Sequence, residues 1–218
     1  MKAVVFDLDN TLFDHTGSAE RALRGWVTEL GVPPTDELVA QWFVIEDLVY
    51  PAWLAGELTH QGQRRERMRR FLPLLAHEVP GTDAGLDEVF EGYLRLYRDN
   101  WVAYPDARAA LEVARSNGWR IGVLTNGSTQ QQNAKLRAIG LAELVDAVCT
   151  SESLGVSKPD PLAYHRACEE LGVEPGDALM IGDNLELDVL AARAAGLTAL
   201  HLDRAAGITL GQLIQGRQ

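Results

Sequence analysis

Short apolar runs recur along the chain, and each is followed by polar residues or glycine. Five runs stand out, at residues 3–6, 120–124, 147–150, 178–181 and 199–202. Bounded runs that stay apolar without alternating are typical of strands buried on both faces of a parallel sheet. The pattern therefore predicts several short, buried parallel strands.

The stretches between the later runs have helical periodicity and end at a glycine. The helix predicted after Asp106 places its apolar residues on one face and stops at Gly118, a typical C-terminal signal. The next three helical stretches stop at Gly140, Gly172 and Gly196. Strand and helix thus alternate from residue 105 onward, which predicts βαβ units and a parallel sheet.

The chain between residues 15 and 100 lacks this alternation and contains no good strand. Its pattern predicts four helices instead, at about residues 18–30, 36–55, 60–75 and 83–100. Turn-forming residues at 31–34 and 80–85 separate the first two helices and the last two. The expected organisation is an α/β core domain, residues 1–14 and 101–218, with a helical domain, residues 15–100, inserted after the first strand.

Two features of the insertion invite a binding interpretation, and a structural one is preferred for both. Residues 64–70 read RRERMRR, and these arginines point around a helix rather than along one face. We expect most of them to form a solvated surface paired with nearby acids. We expect Trp42, Phe43 and Trp53 to pack between helices rather than to stack on a ligand.

Composition and charge narrow the class of protein. Of 218 residues, 46% are hydrophobic and 23% charged, as in ordinary globular proteins, and the net charge of −11 disfavours nucleic acid or anionic membrane as a partner. No apolar run approaches the length of a membrane span, and the N-terminus does not resemble a signal peptide. Two cysteines without CxxC spacing suit a reducing compartment. We therefore expect a cytoplasmic protein.

Polar residues that could take part in catalysis or binding stand at the ends of three apolar runs and on one loop. Asp7 and Asp9 follow the first run, and Lys158, one of only three lysines with Lys2 and Lys135, precedes a helix. The remaining candidates follow the second and fourth runs: Thr125, Asn126, Gly127, Asp183 and Asp188. The carboxyl ends of parallel strands form the ligand-binding edge of such sheets, so these groups are expected to converge.

A convergence of this kind would place several carboxylates close together. Clustered carboxylates repel one another, so the site is expected to require a cation. Ligands that are all oxygen favour a hard ion, and Mg²⁺ fits best because it takes few carboxylates and also meets substrate phosphate. The sequence therefore predicts a Mg²⁺ cofactor.

With these residues in view, the chain resembles the haloacid dehalogenase (HAD) superfamily over nearly its whole length. The motif DxDxT corresponds to residues 7–11, the strand-end Thr or Ser to Thr125, the lysine before a helix to Lys158, and GDxxxxD to residues 182–188. The resemblance is to the subfamily with a helical cap between the first two motifs. It implies a Rossmann-like doubly wound parallel sheet, with residues 15–100 as the cap domain.

The resemblance also implies catalytic roles. Asp7 would be the nucleophile that forms an aspartyl-phosphate, and Asp9 the general acid/base, which the dehalogenases of the family lack. Lys158 would neutralise charge on the nucleophile and the phosphoryl group. Thr125 would donate its hydroxyl to phosphate beside the N–H groups of Asn126 and Gly127. An alternative for Thr125 is a helix N-cap, a role that Ser128 could also fill.

Metal binding is implied by the same motifs. Asp183 would bind Mg²⁺ together with Asp7 and the backbone carbonyl of Asp9. Asp188 would orient Lys158 or a metal-bound water, or else serve as an acidic residue in the first turn of a helix. Thr11 would shape the loop.

The leading functional hypothesis is a Mg²⁺-dependent phosphatase acting on a small phosphomonoester. A phosphomutase of the same family, a 2-haloacid dehalogenase and a non-catalytic Mg²⁺- or phosphate-binding module are the alternatives, and Asp9 argues against the dehalogenase. The expected partner is a small phosphorylated metabolite, with specificity set by the cap. A monomer and a homodimer both remain open.

Overall fold

The chain is described by a computed structural model over residues 1–215; residues 216–218, which belong to the expected core domain, lie outside the described part. The contacts divide it into two compact units. One comprises Met1–His15 together with the chain from Trp101 onward, and the other is Thr16–Asn100. The sheet lies in the first unit and begins with strand β1, Ala3–Phe6.

The unit Thr16–Asn100 is helical. Its helices are α1 (His15–Glu29), α2 (Asp36–Leu54), α3 (His60–Phe71), which continues as a 3₁₀ turn at Leu72–Leu75, and α4 (Asp83–Asp99). Three of them begin at a threonine whose hydroxyl accepts a free backbone N–H of the first turn: Thr35, Thr59 and Thr82. The four predicted helices are confirmed: three begin at the predicted residue, α1 begins three residues earlier, and the last four residues predicted for α3 form the 3₁₀ turn.

Aromatic rings form the core of this helical unit. Trp42 is fully buried, and its ring centroid lies 4.9 Å from that of Phe71 and 4.5 Å from that of Tyr93. The predicted packing role is therefore confirmed for Trp42. Phe43 and Trp53 are only partly buried, and Trp53 packs against the ring of Tyr50.

Four of the five arginines of α3 separate into two groups, and the fifth, Arg64, lies over the Phe90 ring. Those that pair with acids on the surface are Arg65 with Asp83 and Asp87, Arg69 with Asp83, and Arg70 with Glu66. Arg67 is different, because it is only 6% exposed, lies over the Trp42 ring and donates to Glu46. The expected solvated surface thus describes the first group and not Arg67.

The other unit is built on a five-stranded parallel sheet. After β1 its strands are β2 (Arg120–Thr125), β3 (Ala147–Thr150), β4 (Ala178–Gly182) and β5 (Thr198–His201). Their order is β3-β2-β1-β4-β5, so β1 is central and Ala3 pairs with both Arg120 and Ala178. All four residues of β1 are fully buried, as its unbroken apolar pattern predicts. The α/β Rossmann-like fold is confirmed.

The helices of this unit lie between the strands in sequence, except the last, which follows β5. They are α5 (Ala107–Ser116), α6 (Thr129–Ala138), α7 (Ser151–Leu154), α8 (Pro161–Glu170), α9 (Ala191–Ala194) and α10 (Leu210–Gln215). The helix expected before Gly196 is not one regular helix, because Leu185–Leu190 forms a π-helical segment ahead of α9. Such segments are rare and often occur at functional sites.

Within residues 1–215, none of the helices combines the length and the hydropathy that a membrane span requires.

Candidate active site

The site begins where the chain turns sharply after β1. The carbonyl of Leu8 accepts hydrogen bonds from the N–H groups of Thr11, Leu12 and Phe13. Asn10 has φ 61°, a left-handed conformation that asparagine tolerates better than most residues. Asp7 and Asp9 both lie on this tight loop, which presents them at the carboxyl edge of the central strand.

Lys158 is the centre of a buried charge network. Its Nζ donates to Asp7 Oδ1 at 2.7 Å and to Asp188 Oδ1 at 2.7 Å. The exposed fractions are 3% for Lys158, 7% for Asp7 and 1% for Asp188. A charge buried to this extent is tolerated only when paired and hydrogen-bonded, so the three side chains depend on one another.

Asn126 fixes the backbone of this lysine. Its Nδ2 donates to the Lys158 carbonyl at 2.9 Å, and its Oδ1 accepts the Lys158 N–H at 2.9 Å. The asparagine therefore joins the end of β2 to the lysine loop. Its side chain is engaged with the protein rather than directed to a phosphate, and the sequence did not indicate this role.

Burial shapes the ionisation of these groups. The pKa of Asp7 is raised well above its usual value by burial, opposed by Lys158 and reinforced by Asp188 and Asp183. Burial acts to lower the pKa of Lys158, but the Asp188 and Asp7 carboxylates outweigh it and raise that pKa. The pKa of Asp183 is raised to about 6, chiefly by burial and then by Asp188. The lysine alone does not offset this concentration of negative charge.

Three carboxylates form a group that could hold a metal ion. Oxygen atoms of Asp7, Asp183 and Asp188 all lie within 4.8 Å of one another. Both oxygens of Asp188 are already used, by Lys158 and by the Asn184 N–H, which leaves Asp7 and Asp183 as the available ligands. The donors are all oxygen and lie beside a single lysine, so the group fits a hard divalent cation.

Thr11 and Gly182 give this acidic group its shape. Thr11 Oγ1 donates to Asp183 Oδ1 at 3.3 Å and accepts the Asp183 N–H at 3.1 Å. At Gly182 a Cβ would lie 2.2 Å from Asp188 Oδ2, so only glycine allows the carboxylate to approach so closely. This close contact explains why the first position of the GDxxxxD pattern is a glycine.

Asp9 belongs to a second group, although it is only two residues from Asp7. Its Oδ1 accepts from Lys135 Nζ at 2.5 Å, and its Oδ2 accepts from Gln132 Nε2 at 3.0 Å. Burial acts to raise the pKa of Asp9, but Lys135, His15 and Gln132 outweigh it and lower that pKa. The Asp9 side chain therefore lies outside the acidic group of Asp7.

Thr125 joins this second group. Its buried Oγ1 accepts from the same Gln132 Nε2 at 2.7 Å. The N-cap of α6 is Ser128, whose Oγ accepts the Gln131 N–H, so Thr125 is not needed for capping. The N–H of Gly127, expected to face phosphate, donates instead to Ser151 Oγ at 2.9 Å.

The structure thus brings the predicted site residues together in two adjoining groups. The first contains Asp7, Thr11, Lys158, Asp183 and Asp188, and the second contains Asp9 and Thr125. Lys135 and Gln132, which complete the second group, were not among the predicted residues. The scarcity of lysine was the one sequence signal that could have drawn attention to Lys135.

Comparison with known proteins agrees with this geometry. A family model described as haloacid dehalogenase-like hydrolase matches residues 1–196. The chain is 36% identical over 209 residues to Phosphatase MT3486 of Mycobacterium tuberculosis, covering 94% of this chain and 88% of the relative. It is 34% identical over 199 residues to a phosphoglycolate phosphatase of Nitrosospira multiformis, covering 90% and 80%.

A solved structure shares the fold over the whole length. The HAD-hydrolase YfnB of Bacillus subtilis, crystallised with magnesium bound, superposes with a TM-score of 0.83 and covers 98% of both chains. Its sequence is 21% identical, so this likeness concerns the fold.

Proposed function

The chain belongs to the haloacid dehalogenase-like hydrolase family, and on that premise we propose that it is a Mg²⁺-dependent phosphatase of small phosphomonoesters. The proposed reaction passes through an aspartyl-phosphate on Asp7. One observation carries the proposal: buried Asp7 is paired with Lys158 at 2.7 Å, while Asp9, two residues away, is held separately by its own donors. The phosphatase names of the two relatives support the same reaction class.

Asp7 is the proposed nucleophile. Its carboxylate attacks phosphorus, the bond from phosphorus to the leaving oxygen breaks, and an aspartyl-phosphate remains on the enzyme. Water then attacks the same phosphorus, the bond to the Asp7 oxygen breaks, and inorganic phosphate leaves. Lys158, fixed by Asn126 and Asp188, keeps a positive charge beside both the carboxylate and the phosphoryl oxygens throughout.

Asp9 is the proposed general acid and base. A phosphate dianion bound beside Asp9 raises the pKa of its carboxyl again, so that the carboxyl takes up a proton. It gives this proton to the leaving oxygen in the first step and takes a proton from the attacking water in the second, so the carboxyl returns to its protonated state. Thr125 donates its hydroxyl to a phosphoryl oxygen. Displacement of a halide needs no proton at the leaving group, so the second aspartate suits phosphate-ester cleavage.

Asp7, Asp183 and the backbone carbonyl of Asp9 are the proposed ligands of Mg²⁺. When bound, the ion supplies positive charge that lowers the repulsion between the carboxylates and the incoming phosphate. Thr11 orients Asp183, and Asp188 orients Lys158, through the hydrogen bonds described above. These two residues thus support the ligands and the lysine without touching the substrate.

The test is phosphate release from a panel of small phosphomonoesters, measured with and without Mg²⁺. We expect release from one or a few substrates, dependent on Mg²⁺ and absent in Asp7→Asn. Asp47→Asn, which neutralises an exposed aspartate on α2, is the matched control and keeps full activity. Mass spectrometry of acid-quenched protein is expected to find the phosphoryl group on Asp7.

Three results would contradict the proposal in different ways. Full activity in Asp7→Asn would remove the assigned nucleophile. Transfer of phosphate between positions of one sugar, without release, would point to a mutase. Halide release without any phosphate release would point to a dehalogenase.

A further inference from the structure

We propose that Lys135, together with Gln132, positions the Asp9 carboxylate for proton transfer. This inference rests on the proposed phosphatase function and adds two residues of α6 to its machinery. Both residues act through Asp9 and Thr125, so they are positioning residues rather than groups that meet the phosphate.

The geometry fixes the plane of the Asp9 carboxylate. Rotation about the terminal bond of an aspartate is soft, so a carboxylate without partners samples many orientations. Here Oδ1 accepts from Lys135 at 2.5 Å and Oδ2 from Gln132 at 3.0 Å. Gln132 and Lys135 are three residues apart and therefore lie on the same face of α6. One rigid helix thus holds both oxygens.

Lys135 is itself held in place. It is 2% exposed, and its Nζ lies 4.8 Å from the centre of the Phe13 ring. Phe13 belongs to the same loop as Asp9, and its carbonyl accepts the Asn10 N–H at 2.7 Å. A cation over an aromatic ring is attracted to it. The ammonium therefore contacts both the side chain of Asp9 and the loop that carries it.

Gln132 couples Asp9 to Thr125. Its Nε2 donates to Asp9 Oδ2 and to Thr125 Oγ1 at 2.7 Å, and the opposite amide orientation would place an acceptor against the carboxylate. Because the Thr125 oxygen accepts this bond, its own hydrogen points elsewhere and is available to a phosphoryl oxygen. The Gln132 amide therefore orients both the Asp9 carboxylate, which transfers the proton, and the Thr125 hydroxyl, which donates to the phosphate.

The experiment compares two kinds of leaving group. An alkyl phosphate that the wild type hydrolyses needs a proton on its leaving oxygen, whereas p-nitrophenolate leaves without one. We measure kcat/KM, which reports the steps up to departure of the leaving group, and KM for both substrates. The variant is Lys135→Met, which keeps an unbranched side chain one atom shorter and removes the charged donor. Arg137→Met, at an exposed position of the same helix, is the matched control.

In Lys135→Met we expect kcat/KM for the alkyl phosphate to fall by about 30-fold, because Asp9 remains but is no longer held, and a positioned acid contributes about 100-fold or more in full. For p-nitrophenyl phosphate we expect a loss of less than about tenfold, with little change in KM for either. Lys135→Arg, which keeps a cationic donor, is expected to recover part of the loss. With p-nitrophenyl phosphate, whose first step does not need the acid, acid-quenched Lys135→Met is expected to retain more aspartyl-phosphate than wild type, because Asp9 also activates the water.

Equal losses on the two substrates, or no loss, would overturn the positioning role while leaving the phosphatase proposal intact. If Lys135→Met does not fold, Gln132→Met takes its place, since it removes the Oδ2 contact and leaves the ion pair. It also removes the contact with Thr125, which affects both substrates, so only the difference between the two losses tests the position of Asp9. A wild type that releases phosphate from no phosphomonoester of the panel would refute the phosphatase proposal, and this inference with it.

Discussion

Gly182 and Asp188 lie so close together that a Cβ atom on residue 182 would be 2.2 Å from Asp188 Oδ2. The glycine ends β4, and the aspartate lies in the π-helical segment that follows. The absence of a side chain at position 182 thus allows the Asp188 carboxylate to lie over the strand end. From there the carboxylate reaches Lys158 at 2.7 Å.

Gly182→Ala is therefore expected to push Asp188 away from Lys158. Overpacking of this kind costs about 1–3 kcal/mol of unfolding free energy, and we expect at least a tenfold loss of kcat. Gly176→Ala is the control, because a Cβ there meets no atom within 4 Å. Denaturant unfolding and phosphate release measure the two effects. Equal behaviour of the two variants would show that the close contact has no consequence.

Lys158→Met is expected to leave two buried carboxylates without their shared cation. Removing one partner of a buried ion pair costs about 3–5 kcal/mol, and we expect no phosphate release above the Asp7→Asn blank. Lys2→Met breaks an exposed pair with Asp177, which solvent screens, and is expected to change the unfolding free energy far less. Chemical denaturation measures the unfolding free energy of both variants. A small loss in Lys158→Met would contradict the buried network.

Binding of Mg²⁺ to the acidic group is expected to stabilise the protein, because the ion binds the folded site and not the unfolded chain. The melting temperature of wild type should therefore rise as Mg²⁺ is added. Asp183→Asn should lose this rise, while Glu186→Gln, at an exposed position three residues later, should keep it. A rise of equal size in Asp183→Asn would exclude Asp183 as a ligand.

The buried Arg67 leads to a prediction about the stability of the helical unit. It is 6% exposed, donates to Glu46 and covers the Trp42 ring, so Arg67→Met should destabilise the protein by about 3 kcal/mol or more. Arg70→Met removes an exposed pair with Glu66 one turn away and should cost about 0.5 kcal/mol or less. Thermal or urea unfolding distinguishes the two, and equal costs would refute the buried role of Arg67.

The two free cysteines are expected to be unreactive in the folded protein. Burial raises the pKa of the Cys149 and Cys168 thiols to about 11, so at pH 8 only about one thiol in a thousand is the reactive thiolate. A disulfide reagent should therefore modify native protein slowly and both cysteines quickly in denaturant. Fast reaction of the native protein would show that the thiols are accessible.

The sequence by itself determined the parts of the fold that depend on local patterns. Apolar runs marked all five strands, and β1 and β3 match their predicted bounds. In the central strand β1, burial on both faces leaves no polar position. Glycine stops marked the C-terminal ends of the helices between the later strands, because a glycine readily takes the conformation that ends a helix. The order of four short motifs was enough to indicate the family.

The tertiary structure decided which distant side chains meet. Lys135 and Asp9 are 126 residues apart, and their contact depends on how α6 is rotated against the loop after β1. The burial of Arg67 depends in the same way on the packing of α3 against Trp42. Periodicity shows that a helix has a buried face, but it does not show what that face touches. Pairing of charges across elements is set by packing, and only the assembled structure contains it.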